Sequence, residues 1–218
     1  MPKVSQAHLD ARRMQILKSA MHCFARQGFH RTTMQDIVRA SQLSPGAIYR
    51  YFRSKDEIVE ALAAKRLARE IERITAVGGE SSGGRVIPDL LRVFFEPLAA
   101  DKKERVNRRV VIQVWAESLR SPRILRAVRK NMNSLRALLA RIISRGQRSG
   151  ELRPDLDPDA VARVMIGLLQ SYFLHEAWDG RLEADSYLKV IAAVFAGLKG
   201  EGDALEGVGI LPGGGSRG

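Results

Sequence analysis

"TMQDIVRASQLSPGAIYRYF", Thr33 to Phe52, carries two helix starts within twenty residues. Thr33 with Asp36 three positions on spells a capping box, the Thr hydroxyl accepting an orphan N–H and the carboxylate accepting another. A helix of about seven residues follows before the next stop signal. "SQLS" is a tight connection, and Ser44 then caps a second short helix whose first position is Pro45, where the missing N–H costs nothing. Ile37, Leu43, Ile48 and Phe52 are the apolar positions that lock the pair onto the preceding helix. Two short helices so joined make a helix–turn–helix.

Working outward, residues 10–27 place Met14, Leu17, Ala20, Met21 and Phe24 at three- and four-residue steps, and Gly28 ends that helix. Ser54 caps a longer fourth helix, 54–77, with Ile58, Leu62, Leu67 and Ile74 in helical period. "GGESSGG" (78–84) reads as a flexible break. Further helices are expected at 86–99, 104–119, 122–148, 158–178 and 184–199. Ser121-Pro122 and Asp157-Pro158 each supply a capping side chain followed by a first-turn proline. No segment alternates with a period of two, so the expected fold is all-α. Residues 200–218 hold eight glycines in nineteen positions and are read as a disordered tail.

The net charge is +12, and residues 1–55 carry ten Lys and Arg against two acids, leaving only +4 for the other 163 residues. A field concentrated in this way points to a polyanion, of which duplex DNA fits a helix–turn–helix. The second helix of such a unit enters the major groove by its N-terminal end. "SPGA" (Ser44, Pro45, Gly46, Ala47) is a small tip suited to close approach, with free N–H groups for phosphate. Tyr49 faces DNA, Tyr51 and Lys55 extend a phosphate-facing rim, and Thr33 and Gln35 open the preceding helix.

Other chemistries are poorly served. "HEAWD" (175–179) has Asp179 where a zinc helix needs its second His. "DLDPD" (155–159) lacks the calcium loop and reads as a helix start. Gly200-x-Gly202 follows a helix, so it is no dinucleotide fingerprint. Cys23 lies among apolar helix residues as inert packing. No catalytic residue, metal site or cofactor is expected. No apolar run nears the roughly 18 residues of a membrane span. The N-terminus has no apolar signal core and a single cysteine suits a reducing compartment, so a cytoplasmic location without membrane contact is expected.

From Ile16 to Leu62 the chain resembles the TetR family of bacterial transcriptional regulators. Phe24, Gly28, Phe29, Thr32, Thr33, Ile37, Ser44, Gly46, Ile48, Tyr49, Tyr51, Phe52 and Lys55 carry the resemblance. At the turn the family commonly has Ala-Gly-Val, whereas this chain has Ser41-Gln42-Leu43. A left-handed Gln42 would carry a strain of roughly 1–2 kcal/mol. The resemblance implies a DNA-binding head, 1–55, joined by the fourth helix to a ligand-binding and dimerisation domain, 56–199. It also implies a homodimeric repressor that binds a palindromic operator on double-stranded DNA and is released by a small-molecule effector. Control by a partner protein without an effector is the alternative.

Residues 158–178 are apolar around most of the helix, from Val161 and Val164 to Phe173 and Leu174, and such a helix must be covered on both sides. With 184–199, in which Ile191 is placed at the seam, it is expected to form a four-helix interface between two copies. The ligand candidates are the large side chains Phe94, Phe95, Trp115, Met132 and Tyr172, with Gln113 and Asn131 as polar anchors. Leu67, Ile71 and Ile74 are expected to couple the fourth helix to this domain.

Overall fold

The computed structural model describes residues 5–78, 102–179 and 182–198. Among them run eight helices: α1 (Gln6–Gln27), α2 (Met34–Ser41), α3 (Pro45–Tyr51), α4 (Lys55–Gly78), α5 (Lys102–Ser118), α6 (Pro122–Arg148), α7 (Pro158–Asp179) and α8 (Ala184–Ala196). The described residues contain no strand, in keeping with the all-α expectation. The expected helix 86–99, the break after Gly78 and the tail 200–218 lie outside them, as do Phe94 and Phe95.

The local start signals operate as chemistry requires. Thr33 and Asp36 form the reciprocal capping box of α2, and Ser44 and Ser121 cap α3 and α6 with Pro45 and Pro122 behind them. The Ser54 hydroxyl accepts the Glu57 N–H at the start of α4. Asp157 accepts the N–H groups of Asp159 and Ala160 at the start of α7. α1 begins four residues before expected because Ser5 takes the His8 N–H as a further cap.

Two apolar clusters organise the chain. The head cluster joins Ile16, Leu17, Ala20 and Phe24 of α1 to Ile37, Ile48 and Phe52. It takes Ile58, Val59 and Ala61 from the first two turns of α4, and Val110 and Ile124 from α5 and α6. The body cluster packs Leu135, Leu139, Ile142 and Ile143 of α6 against Met165, Ile166, Tyr172 and Phe173 of α7. α4 enters it through Ile74, with Leu67 against its edge, while Ile71 is only half-buried.

The helices 158–178 and 184–199 divide differently from expectation. Ile191, placed at the seam between copies, is 3% exposed and buried with Phe195 in the protomer's own core. The outward apolar positions are Val164, Trp178, Val190 and Val194, at 58%, 74%, 64% and 53% exposure. Helical period establishes which residues share a face, but not which neighbour covers it.

The turn between α2 and α3 holds Gln42 at φ 56°, ψ 29°, the left-handed region. Its side chain is exposed and makes no packing that glycine would forfeit. Gln42→Gly should therefore raise stability by about 0.5–1 kcal/mol, the αL penalty outweighing the entropy of a freer unfolded chain. Urea unfolding checks this; a lower midpoint would show that the turn is not strained.

Candidate nucleic-acid interface

α1 is the scaffold on which the two short helices are set, and polar side chains fix the register that the core alone would leave loose. Gln15 Nε2 donates to the Ser41 carbonyl at 2.7 Å and Ser19 Oγ to the Ala40 carbonyl at 3.3 Å, satisfying the C-terminal end of α2. Gln27 Nε2 reaches the Asp36 carboxylate at 3.1 Å from the other side. Arg13 lies over the Phe52 ring, 5.4 Å from its centroid.

α3 is thereby presented outward. Ser44, Pro45 and Gly46 are exposed and Ala47 is half-buried. Ser44 Oγ accepts the Ala47 N–H at 3.3 Å. A Cβ at Gly46 would meet nothing within 4 Å, so the protein's own packing does not call for glycine there. Tyr49 is 48% exposed, beside exposed Arg50. Gln35 is exposed on α2. Ser44, Pro45, Gly46 and Tyr49 form one outward tip on α3.

Three of the expected contact residues also serve the protein's own fold. Thr33 is exposed, but its hydroxyl donates to Asp36 Oδ2 at 2.8 Å and accepts the Asp36 N–H at 3.1 Å, so it serves the cap. Tyr51 is half-buried against the head cluster. Lys55, expected on a phosphate-facing rim, instead donates from Nζ to the carbonyls of Phe29 at 2.9 Å and His30 at 3.4 Å. Its ammonium sits 4.5 Å from the centroid of the Phe29 ring. Burial lowers its pKa, against the opposing pull of Glu117 and Asp56.

The same corner receives α5. Gln113 Oε1 accepts the Phe29 N–H at 2.9 Å, and Glu117 Oε2 lies 2.8 Å from His30 Nε2. Gln113, expected as a ligand anchor, is thus a clasp between head and body. Of the other ligand candidates, Trp115 is half-buried and stacked on Phe173 at 5.8 Å and 10°. Met132 is half-buried at the body cluster, its sulfur 3.9 Å from Gln170 Nε2, with half-buried Asn131 beside it in sequence. Tyr172 is fully buried. Its hydroxyl stands 3.5 Å from Glu176 Oε1.

Glu176 exposes a pairing that the sequence reading missed. Arg108 of α5 donates Nε and Nη2 to Glu176 Oε2 and Oε1, both at 2.5 Å. The two are 3% and 5% exposed. They stand 68 residues apart, and no local motif connects them. Burial raises the Cys23 thiol's pKa, as suits a packing residue. Among the described residues no group of three His, Cys, Asp or Glu could hold a metal, and no helix is long and apolar enough to cross a membrane.

Two family models match this chain: that of bacterial regulatory proteins of the tetR family over residues 16–62, and that of the BetI-type transcriptional repressor C-terminal domain over residues 88–198. An HTH-type transcriptional repressor of Mycobacterium tuberculosis is 33% identical over 170 residues, 78% of this chain and 83% of its own. Salmonella enterica GusR superposes with a TM-score of 0.75 at 26% identity, covering 90% of this chain and 98% of that one. A transcriptional regulator from Saccharomonospora viridis, solved in complex with choline, has the same fold: TM-score 0.73 at 23% identity over 86% and 96% of the two chains.

The Asp36 carboxylate is held well below the ordinary 3.8 by the Thr33 backbone N–H, the Thr33 hydroxyl and then the Arg39 guanidinium. A depressed folded-state pKa contributes stability above the unfolded value, and that contribution fades as pH falls through the folded one. Asp36→Asn should therefore lower the thermal midpoint at pH 7, with the deficit shrinking below about pH 3.8, the model-peptide range of an aspartate. An equal deficit at pH 7 and pH 2.5 would mean that charge is not what the box uses.

Proposed function

Given that the chain belongs to the TetR family of bacterial regulatory proteins, we propose that it is a homodimeric cytoplasmic repressor that binds a palindromic operator and is released by a small-molecule effector. It is a helix–turn–helix transcriptional regulator and not an enzyme. The observation that carries the finer reading is the outward apolar face of α7 and α8, with Val164, Val190 and Val194 more than half exposed on a chain whose α3 tip also faces solvent. Large apolar side chains left open in this way mark a contact surface.

A second copy covers that face most economically, because a two-fold axis brings the same residues together. Two α3 tips set about 34–36 Å apart then enter successive major grooves. Ser44, Gly46 and Tyr49 are the residues of closest approach: the bare Gly46 lets the backbone near the bases or phosphates, and Tyr49 donates its hydroxyl to phosphate. Gln35 and the adjacent arginines complete the contact. The basic head makes binding steeply salt-dependent through counterion release. The effector is held in the body between α5, α6 and α7, where Trp115 and Met132 are half-buried; the relative from Saccharomonospora viridis holds choline. A ligand that favours a different head separation weakens operator binding, and a typical coupling of about 1–3 kcal/mol corresponds to roughly 5–150-fold.

Two outcomes test this. Tyr49→Ala should lose at least about tenfold in operator affinity, as expected for an interface anchor worth more than about 1.4 kcal/mol. Its circular dichroism should stay unchanged, since Tyr49 is outside the core; wild-type affinity in fluorescence anisotropy would displace α3 from the groove. Val194→Glu should give folded monomers in sedimentation velocity, because an unpaired carboxylate is costly to bury. Ile191→Glu should unfold the protomer instead. A Val194→Glu dimer would assign the interface to another surface.

A further inference from the structure

We propose that the exposed face of α6 is a second contact for duplex DNA, separate from the α3 tip. It needs neither the effector nor the dimer of the reading above. α6 carries eight Lys and Arg in its 27 residues and no Asp or Glu. α4, of 24 residues, carries five of each sign. Residues 1–55 and α6 each stand at +8, and the rest of the chain, with eighteen bases against twenty-two acids, is negative. The protein's positive charge therefore resides in two places, the DNA-binding head and this one helix.

Arg126, Lys130, Asn133, Ala137, Arg141, Arg145 and Arg148 follow at four- and three-residue steps, with Arg129 beside Lys130, so they share one face. All of them are exposed, and no other residue between Arg126 and Arg148 is. The half-buried Arg123 and Arg136 are each met by an acid of a neighbouring helix, Glu60 at 2.9 Å and Asp159 at 2.8 Å. Arg126, Arg129, Lys130, Arg141 and Arg148 make no ion pair with a described residue. A solvated helix face commonly alternates its charges. Here Arg126 stands three and four positions from Arg129 and Lys130, spacings at which like charges repel. Arg148 suits the C-terminal end of the helix dipole, but the other four lie too far from that end to gain from it.

The chemistry of the face selects its occupant. A helix lies in an anionic membrane by sinking its apolar side into the bilayer, and the apolar side of α6, with Leu135, Leu139, Ile142 and Ile143, is buried in the body cluster. A protein interface is built on buried apolar or aromatic anchors, and the two neutral residues of this face are Asn133 and Ala137. A phosphate backbone requires cations alone. From Arg126 to Arg148 is about 33 Å at about 1.5 Å per residue, close to one turn of duplex DNA. The face starts at the head, since Ile124 lies in the head cluster, and runs along the body. Arg141 is about 25 Å along the axis from Ile124. That is beyond the roughly 10 Å over which 0.1 M salt leaves a surface charge felt, so Arg141 acts on DNA by touching it and not through the field around α3.

The test uses the full chain with its head contact weakened by Arg50→Gln/Arg53→Gln, both exposed positions, and fluorescence anisotropy with a random-sequence duplex of forty base pairs. That chain should still bind the duplex at low salt. Adding Arg141→Gln/Arg148→Gln should shrink its loss of affinity between 50 and 200 mM salt by about tenfold, the counterion release of two phosphate contacts. Adding Lys65→Gln/Arg109→Gln, an equal loss of charge from exposed positions on α4 and α5, should leave the salt dependence as it was. Circular dichroism checks each fold, and Arg126→Gln/Lys130→Gln repeats the measurement from the other end of the face if the first pair fails to fold. The proposal is overturned by no duplex binding once the head is weakened, by an α6 variant with unchanged salt dependence, or by a control pair that shifts it equally. Vesicles of phosphatidylcholine with phosphatidylserine, and poly-glutamate, are the counter-probes. If Arg141→Gln/Arg148→Gln costs either of them more than it costs the duplex, the face belongs to a membrane or to an acidic protein and not to DNA.

Discussion

The backbone of Phe29 and His30 is held from three directions, and the placing of the DNA-reading helix depends on that grip. The Phe29 N–H is taken by Gln113 of α5, and its carbonyl by Lys55 at the start of α4. His30 adds an ion pair to Glu117 when protonated. The Phe29 ring packs on Phe24 at 5.3 Å and lies under the Lys55 ammonium. The end of α1, the start of α4 and the end of α5 therefore meet at one corner. A corner built from half-buried hydrogen bonds is directional in a way that apolar packing is not. It converts the apolar head cluster, which tolerates rotation, into a head with one orientation relative to the body.

What was legible in the sequence was local. The Thr33–Asp36 box, Ser44-Pro45, Ser121-Pro122 and Asp157 each act within four residues, and each does in the structure what its spacing requires. Gly28 stops α1 at φ 84°, where an L side chain is strained. Roles that act over distance were not legible. Lys55 bonds to a carbonyl 26 positions away and Gln113 to an amide 84 away, so neither role leaves a trace in the neighbouring sequence. Ile191 was misassigned because α8 has apolar residues toward both its protomer and the outside, and period alone cannot say which set meets which partner.

The candidate site divides along the same line. Ser44, Pro45, Gly46 and Tyr49 stand outward because the cap and the proline determine where α3 begins, and the periodicity then determines what faces away from Ile48. Tyr51 and Lys55 lie past the end of that control and turn inward to the head cluster and the corner. In the body, a large side chain marks core as readily as pocket, and Tyr172 is fully buried. The Arg108–Glu176 pair escaped notice because single charged residues at helix positions ordinarily face water.

α5 gives the body a second connection to the head besides α4. α4 packs into the body through Ile74 and along its edge through Leu67, near its far end, while its first turns belong to the head cluster. α5 carries Arg108, Gln113 and Glu117 on a single 17-residue helix. From Arg108 to Gln113 is about 7.5 Å along the axis, one and a half turns of continuous backbone hydrogen bonding. The buried pair and the Phe29 corner are thus joined by one continuous helix. The corner does not follow passively, since hydrogen bonds at 2.9 Å stretch little before they break. A displacement of α5 must therefore either rotate the head or cost the Gln113 contact. Either result changes how α3 is set relative to the body.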